Sequence, residues 1–211
     1  MTMADDTGAG TSLVERVKRI LLEPNQEWDR IDADPMTVGG IFKNWVFPLA
    51  AIPALATLIG MLVFGISILG VTYRPPIGTV LANAIVAYVF TTSGVFLYGL
   101  LIDALAPTFN GTQNRVQAQK VSAYSATPVF VAGILGIIPQ LSILALLGSL
   151  YSLYLIYLGL PKLMKVPEDK TVPYIATVIG AGIVLVLIAG IIIQRVSAVF
   201  APAVSGPYLV S

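Results

Sequence analysis

The sequence predicts an all-α, polytopic membrane protein: a helix bundle of five transmembrane helices, with the N-terminus inside and the C-terminus outside. Hydrophobic residues make up 56% of the chain and charged residues only 11%, whereas a soluble domain carries about 25% charged residues. The charged residues are separated by charge-free runs long enough to cross a bilayer. Lysine and arginine also fall mainly on one side of those runs, which is typical of integral membrane proteins.

The longest charge-free run lies between Lys120 and Lys162. A helix rises about 1.5 Å per residue, so residues 121–161 would form a helix roughly 60 Å long, which is twice the hydrocarbon core of ~30 Å. The run therefore predicts two spans joined by a tight turn. Residues 138–140 lie near its middle, and Pro139 among them ends a helix.

The chain is predicted to fall into three parts. Residues 1–41 form a cytoplasmic N-terminal segment, residues 42–195 the transmembrane domain and residues 196–211 an external tail. The spans are predicted at residues 42–69, 77–106, 121–138, 142–160 and 173–194. Pro48 and Pro53 near the start of the first span predict a kink or a broken first turn. This span follows no cleavable signal and is expected to serve as an uncleaved anchor.

The orientation follows from the positive-inside rule. With the N-terminus inside, ten of the twelve lysine and arginine residues lie in inside segments, and only Arg74 and Arg195 lie outside. This bias predicts a multi-pass protein of the cell inner membrane with a cytoplasmic N-terminus.

The N-terminal segment is predicted to hold one amphipathic helix. Residues 1–10 are polar and acidic and are expected to be disordered, while Ser12 and Glu15 form a capping-box signal for a helix over residues 12–22. The basic residues at its polar positions are Arg16, Lys18 and Arg19. The helix either lies on the membrane with this side toward lipid phosphates or packs on the protein's own cytoplasmic face. Trp28, in the polar segment that follows, is predicted to be an interfacial anchor.

The composition excludes several classes of function. The chain contains no cysteine and no histidine, which removes disulfides, thiolate and imidazole chemistry, and Cys/His metal sites. The formal net charge of +1 argues against a nucleic-acid partner, which needs a basic face. The sequence offers no pair of carboxylates at membrane depth, no Ser/His/Asp set and no Gly-rich phosphate loop. We therefore predict a non-enzymatic protein without catalytic residues, cofactor or metal.

Polar residues within the predicted spans are candidate functional residues. Asp103 is the acidic residue among the apolar segments, and a membrane carboxylate is a candidate site by default. It is either a structural residue, as a helix-end residue or as a salt-bridge partner of Arg115 or Lys120, or a transport or proton-transfer residue. The other members of this candidate polar cluster are Asn83, Tyr98, Tyr124, Tyr151, Tyr154 and Tyr157. The tyrosine hydroxyls either line a polar crevice or each bond a backbone carbonyl in a packed bundle.

Two further sets of residues are predicted to make contacts. A cytoplasmic loop is predicted over residues 161–172. Its charged residues, which are candidate contacts, are Lys162, Lys165, Glu168, Asp169 and Lys170. Small residues spaced four apart allow helices to approach closely, within one chain or between copies. These pairs are Ala56/Gly60, Ala132/Gly136, Gly148/Ser152 and Ala176/Gly180.

Five stretches of the sequence carry a family likeness. They are VSAYSATP at residues 121–128, LYSLYLIYLGLP at 150–161, KVPEDK at 165–170, PNQEW at 24–28 and FPL at 47–49. In these stretches the chain resembles the bacterial branch of the Yip-domain family. The resemblance implies five spans and a cytoplasmic N-terminus. Eukaryotic members bind Ypt/Rab GTPases, but their Asp-Leu-Tyr-Gly-Pro signature is not present here, so the resemblance assigns GTPase binding to no residue of this chain.

Two functions are open at the level of the sequence. The first is a non-enzymatic, membrane-organising or protein-interaction scaffold. Its partners would be the lipid bilayer, other membrane proteins and further copies of the chain in a homo-oligomer. The second is a small transporter or channel for an ion or small solute, with Asp103, Asn83 and the tyrosines along its path.

Overall fold

The computed structural model describes residues 12–68 and 71–200. Its helices confirm the predicted all-α membrane fold. Within the described residues, five helical segments are long and apolar enough to cross a membrane: Val38–Val63, Ile77–Phe109, Arg115–Ile137, Ala145–Met164 and Glu168–Arg195. The predicted disorder of residues 1–10 lies outside the described part of the chain, as does the end of the predicted external tail, residues 201–211.

Two short helices precede the first span. Helix α1 is Leu13–Leu22 and helix α2 is Pro24–Ala33. The predicted capping residue Ser12 accepts a hydrogen bond from the backbone N–H of Glu15 at 3.2 Å, as in a capping box. Pro24 begins α2, because the first turn of a helix needs no N–H from that position. The sequence predicts only a polar connection after α1, whereas the structure has a helix there.

The first span begins as helix α3 (Val38–Ile41), continues through a π-helical turn (Phe42–Val46) and ends as helix α4 (Phe47–Val63). The π-helical turn leads directly into Pro48. In a regular helix the ring of this proline would clash with the carbonyl four residues earlier. The wider turn relieves the clash, so the irregularity that the prolines predict takes the form of a π-helical turn.

The first span is shorter at its far end than predicted. Helix α4 ends at Val63 rather than at residue 69, and strands β1 (Ile66–Ile68) and β2 (Val71–Tyr73) pair as an antiparallel sheet. The β-branched residues of both strands favour extended backbone. The Arg74 guanidinium donates to the Val63 carbonyl at 3.4 Å, which places a cation at the negative end of α4.

The second span is helix α5 (Ile77–Leu105), followed by a 3-10 segment (Ala106–Phe109). The third span starts at helix α6 (Arg115–Ser125), because the Asn114 side chain accepts hydrogen bonds from two N–H groups of its first turn. The sequence predicts that the third span begins at residue 121, and this prediction is wrong, because the chain is already helical from Arg115.

Pro128 interrupts the third span. Helix α6 ends at Ser125, and helix α7 (Thr127–Ala132) begins one residue before the proline. A 3-10 segment (Gly133–Ile137) completes the span. Ile138 then has extended backbone, with φ -108° and ψ 103°, as expected for a residue that precedes a proline.

The fourth span is helix α8 (Ala145–Met164), which follows a second 3-10 segment (Pro139–Leu144). A Cβ added to Gly148 on α8 would lie 2.8 Å from the Ala132 Cβ and 2.8 Å from the Pro128 carbonyl oxygen. The third and fourth spans therefore pack closely against each other, in agreement with the turn predicted between them.

The fifth span is helix α9 (Glu168–Phe200). The loop predicted over residues 161–172 is much shorter in the structure and consists of residues 165–167. Lys165 ends α8 in the left-handed conformation, with φ 52°. The sequence predicts that the fourth span ends at residue 160, just before Pro161. The helix continues through this proline to Met164.

The buried core lies at one end of the bundle, where α1 and α2 pack on α6 and α8. Residues 118–125 of α6 are all buried. The largest fully buried side chains include Trp28, Tyr124, Phe130 and Ile31. Trp28 is therefore a core residue, and its prediction as an interfacial anchor is wrong, because its indole packs on protein rather than among lipid headgroups.

The small-residue pairs differ in what they contact. A Cβ added to Gly60 would lie 2.4 Å from the Gly136 carbonyl oxygen, so this glycine lets α4 touch the backbone of the third span. A Cβ added to Gly180 on α9 would meet nothing within 4 Å in the described part of the chain. Helix α9 is also the most exposed span, with 11% of its most apolar stretch buried.

We expect Gly60→Ala to destabilise the protein and Gly180→Ala to leave it unchanged or slightly more stable. The new methyl group at residue 60 meets a backbone oxygen that cannot rotate away, and overpacking of this kind costs about 1–3 kcal/mol. At residue 180 the methyl group points into open space, and alanine favours helix over glycine. Thermal unfolding of both variants in the same detergent measures the difference, and equal melting temperatures would contradict this account of the helix contact.

Candidate functional site

The most elaborate polar site lies where α1 and α2 meet the bundle. We call residues 12–37 the N-terminal cap, because they fold over the ends of α6 and α8. The cap takes part in seven of the eight ion pairs of the described residues.

A buried carboxylate lies at the centre of the cap. Glu27 on α2 is 0% exposed, and its carboxylate pairs with three guanidinium groups. The distances from Glu27 are 3.2 Å to Arg16 Nε, 3.0 Å to Arg19 Nε and 3.2 Å to Arg30 Nη1. A buried charge is tolerated only when it is paired and hydrogen-bonded. The arginines therefore allow α2 to bury this face against α1.

The three basic residues of α1 do not share one environment. Arg16 and Arg19 point at the protein's own carboxylates, and Arg16 also pairs with Asp34 at 2.8 Å. Lys18 is exposed on the opposite side of the helix. Of the two arrangements that the sequence leaves open, α1 packs on the protein itself, and the charges of Arg16 and Arg19 are matched by carboxylates of the cap rather than by lipid phosphates.

A buried lysine fixes the end of α2. The Lys120 ammonium donates at 2.7 Å to both the Ile31 and Asp34 carbonyls and lies 3.5 Å from the Asp32 carbonyl. Lys120 is 2% exposed. The last carbonyls of a helix have no partner within the helix and carry partial negative charge, so an ammonium group satisfies both requirements. Gln117 on α6 adds a hydrogen bond of 2.8 Å to the Asp32 carboxylate.

The end of α8 holds the cap from a second direction. Lys162 pairs with Asp29 at 2.7 Å, and Lys165 pairs with Asp32. Both lysines belong to the predicted set of charged loop contacts, and both bind the cap of their own chain. The rest of that set, Glu168, Asp169 and Lys170, lies exposed in the first turn of α9.

Aromatic packing completes the attachment of the cap. A Cβ added to Gly159 on α8 would lie 2.5 Å from the Trp28 indole, so only a glycine lets α2 lie this close to α8. The Tyr124 ring packs edge-on to Trp28, with the ring centres 6.3 Å apart. The Arg16 guanidinium lies 5.2 Å from the centre of the Tyr124 ring. The Tyr151 hydroxyl donates to the Leu21 carbonyl at 2.7 Å and thereby caps α1.

The predicted intramembrane cluster comes together only in part: the Tyr151 and Tyr154 rings pack against each other, with their centres 5.5 Å apart. Tyr124 and Tyr151 belong to the attachment of the cap, whereas the Tyr98 hydroxyl donates to the Val178 carbonyl of α9 at 3.3 Å. The members with exposed side chains are Asn83, Tyr154 and Tyr157. The hydroxyls of Tyr98, Tyr124 and Tyr151 bond different elements rather than one another.

Asp103 pairs with neither of its predicted partners. Lys120 binds the end of α2 instead, and the Arg115 guanidinium lies over the Phe96 ring at 5.6 Å. Asp103 Oδ1 is buried and has no hydrogen-bond partner among the described residues. The prediction of a salt bridge to Arg115 or Lys120 fails, because both cations have partners on other elements.

An open cavity of about 580 Å³ lies beside the arginine network. It is bounded by α1, the connection before α3 and the π-helical turn. Its polar lining comes from Arg16, Asp34, Thr37 and Asn44, and its apolar lining includes Trp45 and Tyr124. Pockets of about 300–1,000 Å³ with a few polar groups commonly hold small ligands.

Several residues of this site are absent from the set that the sequence predicts. They are Glu27, Asp34, Asn44, Gln117, Lys120 and Gly159. One signal for the cap was available: Pro24 followed by acidic residues and the apolar Trp28 and Ile31 is a possible helix start. The pairing of that helix with α6 and α8 has no local signal.

We expect Glu27→Gln to lower the free energy needed to open the cap by about 3 kcal/mol. This is the low end for a broken buried pair, because the three arginines are partly exposed. Trypsin can cleave after Arg16, Arg19 and Arg30 only when the cap is open, so the cleavage rate follows the population of the open form. We therefore expect cleavage to become roughly a hundredfold faster. The exposed Glu23 provides the matched control. Equal cleavage rates for Glu27→Gln and Glu23→Gln would show that the buried carboxylate does not hold the cap.

A search of curated proteins gives no match to the chain, and neither does a search of solved structures. A sequence model of the Yip1 domain matches residues 18–191, which begin within α1 and end within α9. This match covers more than half of the chain and confirms the resemblance found in the sequence. The chain therefore belongs to the Yip1 domain family of membrane proteins.

Proposed function

We propose that this protein is a non-enzymatic interaction scaffold of the cell inner membrane, and that it binds other membrane proteins through the outer face of the N-terminal cap. The observation that carries the proposal is the split of α1 into two faces. On the inner face, Arg16 and Arg19 bind Glu27 of α2. On the outer face, Val14 and Leu22 are 60% and 79% exposed.

The outer face of α1 has the chemistry of a protein contact. Val14, Lys18 and Leu22 are spaced four apart, so they lie in one row along the helix. The two apolar side chains flank one exposed cation, so the row offers a partner both apolar contact and a charge. The helix that carries them is held rigidly, which lowers the entropy lost when a partner binds.

The exposed side of α9 supports association between membrane proteins as well. Ala176 and Gly180 are both exposed, whereas the pairs around Gly60 and Gly148 are used within the chain. A small-residue pair of this spacing lets a helix from another subunit approach closely. We include self-association among the functions of the scaffold.

The transporter alternative has one observation in its favour. Asp103 Oδ1 is buried without a hydrogen-bond partner in the described structure, and a buried membrane carboxylate marks some ion pathways. Asn83 and Tyr154 lie exposed on other faces, so they form no path with it. The scaffold is the better supported of the two functions.

Site-specific photo-crosslinking in living cells tests the scaffold. A photoreactive amino acid at Leu22 should give an adduct with one identifiable membrane protein, and the double change Val14→Ser with Leu22→Ser should abolish copurification of that protein. The matched control is Val172, which is 66% exposed at the start of α9. We expect a photoreactive group there to give no such adduct, and Val172→Ser to leave copurification unchanged.

Two outcomes would contradict the scaffold proposal. One is the same adduct from Leu22 and Val172, which would indicate contact by proximity alone. The other is solute or ion flux in proteoliposomes that Asp103→Asn abolishes and that the changes on α1 leave intact. The latter result would establish the transporter.

A further inference from the structure

The cavity beside the cap has two kinds of wall. Leu13 and Met36 provide apolar surface, to which the Trp45 and Tyr124 rings add flat faces. The polar side is formed by charged and neutral groups rather than by backbone alone. A ligand of this cavity should therefore combine a polar group with an apolar part.

The charges of the cavity cancel. Arg16 Nη2 and Asp34 Oδ2 are 2.8 Å apart, and Arg16 Nε is bound to Glu27. Arg16 Nη1 and Asp34 Oδ1 make no hydrogen bond with any other described side chain. The cavity thus offers one cationic donor and one anionic acceptor side by side. This arrangement fits a zwitterion better than an ion of one sign.

The start of the first span lines the cavity, and the charge pattern of the sequence puts the edge of the apolar layer there. Lys43 is the last charged residue before the charge-free run that ends at Arg74. Asn44 lines the cavity and is exposed, and Phe47, one turn further along, is 45% exposed. Polar headgroups occupy this depth of a bilayer, and a chain leaving the cavity past Phe47 would enter hydrocarbon.

The π-helical turn forms part of the cavity wall. It widens the backbone at residues 42–46 and brings Asn44 and Trp45 to the same cavity. Insertions of this kind occur frequently at functional sites, because they cost stability and re-aim side chains. The Asn44 side-chain amide makes no hydrogen bond to another described residue, so it is available to a ligand.

We propose that this cavity binds the headgroup of a zwitterionic membrane phospholipid of the phosphoethanolamine type. The phosphate lies toward Arg16 and Asn44, and the ammonium group lies toward Asp34. A primary ammonium donates hydrogen bonds to a carboxylate, which a quaternary ammonium cannot do. The proposal does not rest on the scaffold proposal, because the cavity uses the inner face of α1 and can bind lipid whether or not a partner binds the outer face.

Binding of matched phospholipids to the purified full-length protein in detergent tests the proposal. Native mass spectrometry would compare phosphatidylethanolamine, phosphatidylcholine and phosphatidylglycerol with identical acyl chains. We expect phosphatidylethanolamine to bind about tenfold more tightly than either of the others, the equivalent of one charge-assisted hydrogen bond. Asn44→Asp should weaken this binding about tenfold, because the new carboxylate repels the phosphate.

Asn25→Asp is the matched control, since Asn25 is an exposed residue of the cap outside the cavity. It should bind the lipid as the unmodified protein does. Asn44→Leu, which removes the amide without adding a charge, should weaken binding about threefold and provides a second variant if Asn44→Asp misfolds.

Equal affinity for the three phospholipids would overturn the proposal, and so would equal binding by the Asn44 and Asn25 variants. Free O-phosphoethanolamine serves as a separate probe of the source of the ligand. If it binds as tightly as the phospholipid, the ligand is a soluble zwitterion and the assignment to a lipid is overturned.

Discussion

The structure depends on neutralising a carboxylate that is buried outside the membrane-spanning helices. Glu27 must lose its water when α2 packs, and burial of an unpaired carboxylate would cost more than the packing returns. Three arginines surround it. Two of them come from α1, so α1 and α2 can only dock together. The cap therefore behaves as one unit, and each short helix is stabilised by the other rather than by its own propensity.

Helix α6 connects this unit to the bundle. Its first half carries Gln117 and Lys120 to the end of α2, and its second half places Tyr124 between Trp28 and Trp45. A lysine at this depth is buried only because helix carbonyls replace its water. The same helix thus supplies both the polar and the aromatic part of the attachment. On another side of α6, Gln119 and Ser122 donate to the Phe96 and Val95 carbonyls of α5, so residues 118–125 are buried from both directions.

The sequence predicts the spans because each depends on a local property, the absence of charge over about twenty residues. It fails where charges are buried in pairs. Lys120 and Lys162 bound the longest charge-free run, and each reads as a water-exposed loop residue, yet both bind α2. Trp28 reads as an interfacial anchor because its partner, Gly159, lies far away in the chain. Contacts between residues that are far apart in the chain leave no periodic pattern in the sequence. The fold class could therefore be predicted from the sequence, but the candidate site could not.

The two faces of α1 are coupled through Arg16. Its guanidinium touches Glu27, Asp34 and the cavity at once, so a ligand in the cavity contacts groups that come together only when the cap is docked. Such a ligand binds the docked state and not the open one, and it therefore stabilises the docked cap in proportion to its occupancy. The outer row of Val14 and Leu22 is presented in a fixed orientation only in that state. Lipid at the inner face would thus raise the fraction of protein able to bind a partner at the outer face, because it shifts the equilibrium from the open toward the docked cap.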